Sequence, residues 1–293
     1  MEHWAARLQP ELDLSWPCWE DYRPALMKLM GSEFPQPHDL CGLLPDDLAS
    51  HGGSAVRFVP AEDIPDVSYE DHIYRTGQVS TRSENWHDLF NALVWSQFPH
   101  LKSAMNAVHF RQQQKQCGSQ RGKLRDALTL MDESGAIVVS HDKTALEAVA
   151  RHEWDRVFST GFAESWEDHD TGELKIFLCG HALLEKFLDP YKAITAKVLL
   201  VEVDQSVFAL PRHVLLSMLD QSLAEGLLKG RLISAPADLA PLPLMGIPGW
   251  WPGHQDATFY ADSNVFRPPG KTSPATITRL RISYGAGKRI PSA

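Results

Sequence analysis

Three polar side chains from distant parts of the sequence could perform acid–base or metal-assisted chemistry: His87, Asp126 and His181. Imidazole and carboxylate groups are common general acids and bases, and both also bind divalent metals. We therefore treat these three residues as the candidate catalytic residues and as the candidate ligands of a divalent metal. Their convergence is a hypothesis, because no local signature such as H-E-x-x-H joins them along the chain.

Further polar residues recur at helical spacing around His87, within an almost wholly apolar stretch, residues 85–109. Asn91 follows His87 by one turn and falls on the same helix face. Lys102 and Asn106 are likewise one turn apart. A lysine beside an amide suits an anion, so we expect Asn91, Lys102 and Asn106 to contact a small anionic ligand. The alternatives are a satisfied buried His–Asn pair, and a solvated face for the second pair.

Two other short motifs add candidates. Arg125 and Asp126 precede a predicted strand whose alternation places Asp126 among apolar side chains. A buried carboxylate needs a partner, which a histidine, an arginine or a metal could provide. The motif GHALLE places Glu185 one turn after His181, and we assign Arg125 and Glu185 to substrate binding. The alternatives are a structural ion pair for Asp126 and a helix-start histidine that donates to a loop carbonyl for His181.

The elements that must position these residues follow from caps, periodicity and breakers. Asn85 is a good N-cap for a helix from Trp86 to Gln97, and Pro99 restarts a helix after it. Residues 111–123 are polar and predict a loop. RDALTLMDESGAIVVS predicts a β-hairpin that turns at Asp132–Gly135. The remaining segments predict a helix after Asp142, the strand LKIFLCG, the helix HALLEKFLDPY, the strand AKVLLVEVD and the helix PRHVLLSMLDQSLAEGLL.

Helices outnumber strands in this reading, which predicts an α+β fold: a mostly helical single domain with a small mixed sheet and a long irregular Pro/Gly-rich C-terminal wrap. Residues 1–80 are expected to form N-terminal helices and loops that pack on the core. Residues 81–232 form the α+β core, and residues 233–293 form the extended wrap and a basic tail. The three segments are expected to pack as one compact domain.

Composition limits the functional classes. The chain has 293 residues, 43% of them hydrophobic, and a formal net charge of −9, which argues against broad binding to nucleic acid or to anionic membranes. Only the basic tail, which includes Arg267, Lys271 and Arg279, could contact nucleic acid. The first residues lack the features of a signal peptide and no window predicts a membrane span, so we expect a cytoplasmic protein. The sequence leaves the oligomeric state open.

Cofactor motifs and thiol chemistry receive little support. The chain lacks G-x-G-x-x-G and the complete P-loop signature, so no nucleotide cofactor is indicated. The four cysteines are widely spaced and form no C-x-x-C pair, which argues against a disulfide framework or a thiolate zinc site. Cys179 beside His181 is a minor candidate nucleophile. A divalent metal is the cofactor that the candidate residues would suit.

NWHDLFNALVWSQFPHLKSAMNAVH, RDALTLMDESG, CGHALLEKFLDPY and FRP together resemble the domain of unknown function 3025 family of bacterial proteins, from about Trp86 to Pro268. The resemblance implies no reaction, because the family has no established biochemical function. It does direct attention to its motif positions, which include all eight candidate site residues and Asp88. The family pattern more often has Phe where Cys179 stands, which further weakens the cysteine hypothesis.

Two functions from different classes remain. The first is a hydrolase or group-transfer enzyme in which His87, Asp126 and His181 hold a metal or share acid and base roles. The second is a non-catalytic module that binds a small molecule or a protein in the same polar cleft. Convergence of the three side chains around an open position would favour the enzyme.

Overall fold

The computed structural model describes residues 14–31, 33–115, 122–163, 166, 172–268 and 274–282. The helices are α1 Arg23–Leu29, α2 Pro37–Cys41, α3 Tyr69–Thr76, α4 Trp86–Gln97, α5 Pro99–Lys115, α6 Lys123–Ser134, α7 Lys143–Ala150, α8 His181–Glu185, α9 Gln205–Phe208, α10 Arg212–Leu228 and α11 Ala257–Tyr260. The strands are β1 Arg57–Pro60, β2 Gln78–Thr81, β3 Gly135–Ser140, β4 Leu174–Leu178, β5 Thr195–Glu202, β6 Ala240–Pro243 and β7 Ile277–Arg279. The α+β prediction is confirmed.

The larger sheet is mixed and lies in the core. Its strands run in the order β4-β3-β5-β6, and β7 also pairs with β5. β3 is antiparallel to β4 and parallel to β5. All six residues of β3 are buried, as expected for a central strand covered on both faces. β1 and β2 form a separate parallel pair.

One large hydrophobic cluster contains side chains from all three predicted segments, including Trp19, Leu93 and Phe266. A smaller cluster around Phe58, Val79 and Trp95 joins the β1–β2 pair to α4. The described residues beyond residue 233 therefore pack on the same core as the sheet, through short elements and irregular chain. The segment boundaries at residues 80 and 232 stay predictions.

The helix pair α4–α5 forms as its sequence predicts. The Asn85 side chain accepts a hydrogen bond from Asp88 N at 3.0 Å, which is the predicted N-cap. The turn ends at Pro99, and Asp220 of α10 then accepts hydrogen bonds from the N–H groups of His100 and Leu101. A carboxylate from a distant helix therefore caps the second helix.

Two predictions between these helices and the sheet are wrong. The polar segment 111–123 does not begin a loop at residue 111, because α5 continues to Lys115; residues 116–121 lie outside the described residues. The hairpin of residues 125–140 is instead the helix α6 followed directly by β3. Ala127, Leu128 and Met131 are buried at helical spacing, and burial of that stripe outweighs the turn preference of Asp-Glu-Ser-Gly.

The other predicted elements form close to their expected positions. Asp142 caps α7 by accepting a hydrogen bond from Thr144 N at 2.7 Å. The predicted strands after residues 173 and 194 are β4 and β5, and the helix at GHALLE is α8. No helix among the described residues combines the length and the apolar composition needed to cross a membrane.

Candidate functional site

Two histidines from distant parts of the chain meet ring to ring. His87 lies in the first turn of α4, and His181 is the first residue of α8. Their Nε2 atoms are 2.9 Å apart, and the ring planes are inclined by 75°. His181 is buried, whereas the His87 side chain is one-third exposed. The predicted convergence of these two residues is therefore present in the fold.

A carboxylate lies behind each imidazole. Glu185 Oε2 is 2.9 Å from His87 Nδ1, and Asp132 Oδ2 is 3.7 Å from His181 Nδ1. An ionised carboxylate can only accept, so the hydrogen bond to Glu185 requires a proton on His87 Nδ1. Asp132 lies beyond hydrogen-bond distance of His181 Nδ1, so its charge acts on this ring without fixing the tautomer. With the His87 proton on Nδ1, the His87 Nε2 lone pair faces His181 Nε2.

A third ligand group stands beside the two Nε2 atoms. Glu133 Oε2 is 3.5 Å from His181 Nε2. Ligand atoms of His87, Glu133 and His181 all lie within 4.8 Å of one another. In a tetrahedral zinc site with ligands at about 2.0–2.1 Å, neighbouring ligand atoms are about 3.3 Å apart. The distances of 2.9 and 3.5 Å lie on either side of this value, so the three side chains could hold a metal ion after small shifts.

The electrostatics of the centre favour a neutral His181. Burial lowers the pKa of His181 to about 4, and the attraction of Asp132 only partly opposes this effect. Burial also acts to raise the pKa of Asp132, but the charge of Lys102 and its hydrogen bond outweigh burial and hold that pKa below its ordinary value. For Glu133, burial and the Asp132 charge raise the pKa. A neutral imidazole between ionised carboxylates is the form that binds a metal.

Asp132 connects the histidines to a buried polar chain. The Lys102 ammonium donates to Asp132 Oδ1 and to Asn91 Oδ1, the latter at 2.8 Å. Asn91 Nδ2 in turn donates to the Tyr69 hydroxyl at 3.1 Å. Lys102 and Asn91 are both buried, and the predicted solvated face for Lys102 is wrong because this ion pair holds it inside the helix pair. These contacts direct both side chains into the protein.

A second polar pair lies beside this chain. Asn106 Nδ2 donates to Glu70 Oε2 at 2.6 Å and to Glu70 O at 2.9 Å. Asn106 is also buried, so the solvated-face prediction fails for this residue too. Burial raises the pKa of Glu70 to about 7, although the Asn106 hydrogen bond and the charges of Lys102 and Arg125 oppose it. The Glu70 carboxyl therefore titrates close to neutral pH.

Comparison with known proteins places the chain in a family. Residues 56–270 match the family described as "Protein of unknown function (DUF3025)". The chain belongs to this family. Every residue of the histidine–carboxylate centre lies within the part that matches DUF3025. No curated protein and no solved structure matches the chain.

Asp126 is the candidate catalytic residue that the structure does not bring to the histidine centre. It lies in the first turn of α6, whereas Asp132 and Glu133 lie in the last. Six residues of helix separate Asp126 from Asp132 by about 9 Å along the helix axis. The ligand-type side chains that come together are instead His87, Glu133 and His181, and metal binding itself stays a prediction. Arg125 is also at the start of α6, where its charge acts on Glu70.

Sequence reasoning missed Asp132, Glu133 and Glu70 in this DUF3025 member. It assigned Asp132 and Glu133 to a hairpin turn, and turn residues are normally solvated. A helical reading of residues 123–134 would have placed Asp132 one turn after the buried Leu128. Glu185 was among the candidates, and the structure places it on His87.

Two glycines bring the elements of the centre together. A side chain at Gly180 would place its Cβ 2.3 Å from Gly135 N and 2.7 Å from Glu133 O. Gly135 O accepts hydrogen bonds from Cys179 N and Gly180 N at 3.0 and 2.8 Å. The close approach at Gly180 therefore seats His181 beside the end of α6. Burial raises the pKa of the neighbouring Cys179 thiol well above its ordinary value, which argues against a nucleophilic thiolate in this DUF3025 chain.

Proposed function

We propose that this protein is a metal-dependent hydrolase whose divalent metal is held by His87, Glu133 and His181. The observation that supports this function is the 2.9 Å separation of two Nε2 atoms whose opposite ring nitrogens both face carboxylates. Two Nε2 atoms at that distance share either a proton, in an N–H···N hydrogen bond, or a bound cation that both lone pairs coordinate. Burial disfavours an imidazolium at His181, which makes a metal ion the better cation.

The number of proposed protein ligands, three, is typical of a catalytic metal site. Structural zinc sites have four protein ligands, whereas catalytic sites have three and keep a position for water or substrate. The side chains of His87, Glu185 and Glu133 are 33%, 40% and 42% exposed, so solvent reaches this side of the centre. A metal in such a site lowers the pKa of bound water and polarises a carbonyl or phosphoryl oxygen.

The protein residues have separate roles in this proposal. Glu185 and Asp132 orient the two imidazoles, and Lys102 keeps Asp132 ionised within the protein. A small anionic substrate would contact the metal itself, because Lys102 and Asn106 are directed into internal hydrogen bonds.

Elemental analysis of protein purified without chelator or affinity-tag metal tests the proposal first. We expect one equivalent of zinc, manganese or iron in the wild type, and its loss in folded His87→Ala, Glu133→Gln and His181→Ala variants. Asp126→Asn is the matched control and should retain the metal. Failure of the wild type to bind any of the three metals on direct titration would overturn the metal centre.

Activity is tested separately with nitrophenyl esters and nitrophenyl phosphates, with and without added metal. We expect turnover of one class that requires the metal and is lost in His181→Ala. Stoichiometric metal binding without turnover of either class would instead favour the alternative, a non-catalytic module that binds its ligand at the same centre.

A further inference from the structure

A small cavity lies among α3, α4, α5 and α6, next to the histidine centre but separate from it. Its volume is about 20 Å³. The polar residues that line it are Tyr69, Glu70, Trp95, Lys102, Asn106, His109 and Asp132, the last of which it shares with the histidine centre. A cavity of this size has room for about one water molecule, and polar walls are the condition under which water rather than empty space occupies it.

Two buried polar atoms on the cavity walls have no protein hydrogen-bond partner among the described residues: Trp95 Nε1 and Asn106 Oδ1. Trp95 is 2% exposed and Asn106 is 4% exposed, so bulk solvent does not satisfy either group. One is a donor and the other an acceptor. Leaving either of them unpaired in the interior would destabilise the fold.

We propose that this cavity is a binding site for a single internal water molecule, which accepts a hydrogen bond from Trp95 Nε1 and donates one to Asn106 Oδ1. The ligand must be both donor and acceptor and must be no larger than the cavity, and water meets both conditions. The site does not depend on the proposed metal, because neither Trp95 nor Asn106 contacts His87, Glu133 or His181 in the hydrogen-bond network.

Other groups on the walls complete the coordination of this water. Lys102 has three N–H donors, and Asn91 and Asp132 accept from it. A further donor on the same ammonium can bind the water. Glu70 accepts from Asn106 through Oε2, and its other oxygen can accept from the water. The water then joins the Glu70–Asn106 pair to the Lys102–Asp132 pair, making one polar network.

NMR on indole-labelled protein tests this site directly. We expect the Trp95 Hε1 proton to show a nuclear Overhauser effect to water with the sign that marks a residence time longer than about a nanosecond. Trp154 and Trp166 are internal controls, because their Nε1 atoms donate to the carbonyl oxygens of Arg267 and Val157. Trp95→Phe assigns the resonance. Absence of a water contact at Trp95 Hε1, or one no stronger than in the controls, would overturn the proposal.

A pair of substitutions at Asn106 provides the second measurement. Asn106→Leu removes the acceptor and fills the cavity, so the water contact of Trp95 Hε1 should disappear. Asn106→Ser keeps an acceptor and should retain the contact. Persistence of the contact in folded Asn106→Leu would contradict the assigned site. If the leucine variant does not fold, the comparison of Trp95 with the two control indoles in the wild type still decides the question.

Discussion

At the scale of single residues, the centre consists of imidazoles that are held by carboxylates on the side away from their meeting point. Glu185 contacts His87 Nδ1, and Asp132 faces His181 Nδ1. Such partners fix the tautomer and raise the basicity of a histidine ligand. In the proposed site Glu185 and Asp132 contact the imidazoles and not the metal. Their proposed role is therefore to orient His87 and His181, which are proposed ligands.

Glu185→Gln should weaken metal binding without removing a ligand. Loss of the carboxylate behind His87 is expected to lower zinc affinity about 10- to 100-fold. Isothermal titration calorimetry measures this change. Glu147→Gln, in a surface pair with Arg151, is the matched control and should leave the affinity unchanged. An unaltered affinity in Glu185→Gln would contradict the positioning role.

Lys102→Met should destabilise the fold strongly. The substitution leaves the Asp132 carboxylate, whose side chain is 24% exposed, without its buried ammonium partner, which costs up to about 3–5 kcal/mol. Urea unfolding measures the loss. Lys229→Met removes an exposed lysine from its pair with Glu225 and should change the stability little, because solvent screens such a pair. Adding Asp132→Asn to Lys102→Met should recover part of the stability, and no recovery would argue against the ion pair as the cause.

Glu70 should make stability depend on pH near neutrality. Its pKa rises from 4.5 in the unfolded chain to about 7 in the fold, so the folded state keeps a proton that the unfolded state has lost. Unfolding therefore releases a proton between these values, and stability falls as pH rises from about 4.5 to about 7. The full effect corresponds to about 3 kcal/mol.

Urea unfolding of Glu70→Gln between pH 5 and pH 8 measures this contribution. The stability of the variant relative to the wild type should increase over that range, because glutamine does not titrate. The exposed Glu62→Gln should show no such trend. A constant difference between Glu70→Gln and the wild type at every pH would show that Glu70 does not titrate in this window.

At the scale of elements, the end of α6 and the start of α8 are close because Gly180 has no side chain. A Cβ there would overlap the backbone at Gly135 and Glu133. These elements carry Glu133 and His181, so the geometry of the proposed centre depends on this contact. The sheet reinforces it, because β3 and β4 pair directly beside these residues.

Gly180→Ala should therefore disturb both stability and metal binding. The added Cβ would lie 2.3 Å from Gly135 N, and backbone atoms cannot move aside as a flexible side chain can. We therefore expect the free energy of unfolding to fall by at least about 1–3 kcal/mol and zinc affinity to fall strongly. Gly226→Ala in α10 is the control. Its Cβ would meet only Leu232 side-chain atoms at 3.8 Å or more, and it should stabilise by up to about 1 kcal/mol. Normal zinc affinity in Gly180→Ala would refute this account.

At the scale of the whole molecule, the proposed metal would tie together α4, α6 and α8, which lie far apart in the sequence. A ligand that binds only the folded state stabilises it, by about 2.7 kcal/mol at 100 times its Kd. Zinc should therefore raise the Tm by several degrees. Calorimetry of the wild type and of His87→Ala/His181→Ala measures this, and an equal rise in both proteins would place the metal elsewhere.

The sequence by itself determined what depends on near neighbours in the chain. The helix Trp86–Gln97 with its Asn85 cap, the cap at Asp142 and the candidates His87 and His181 all follow from residues within about one turn of one another. Near neighbours could not favour Asp132 and Glu133 over Asp126 as partners of the histidines. That preference requires residues 123–134 to form a helix, and the local pattern predicted a hairpin instead.

Only the tertiary structure decided which carboxylates reach the histidines. The contact depends on β3 pairing with β4 and on the close approach of Gly135 and Gly180, which are separated by 45 positions in the numbering of the chain. The burial of Lys102 and Asn106 likewise depends on contacts between distant parts of the chain. Their partners Asp132 and Glu70 come from other helices, and no periodicity within 85–109 contains that information.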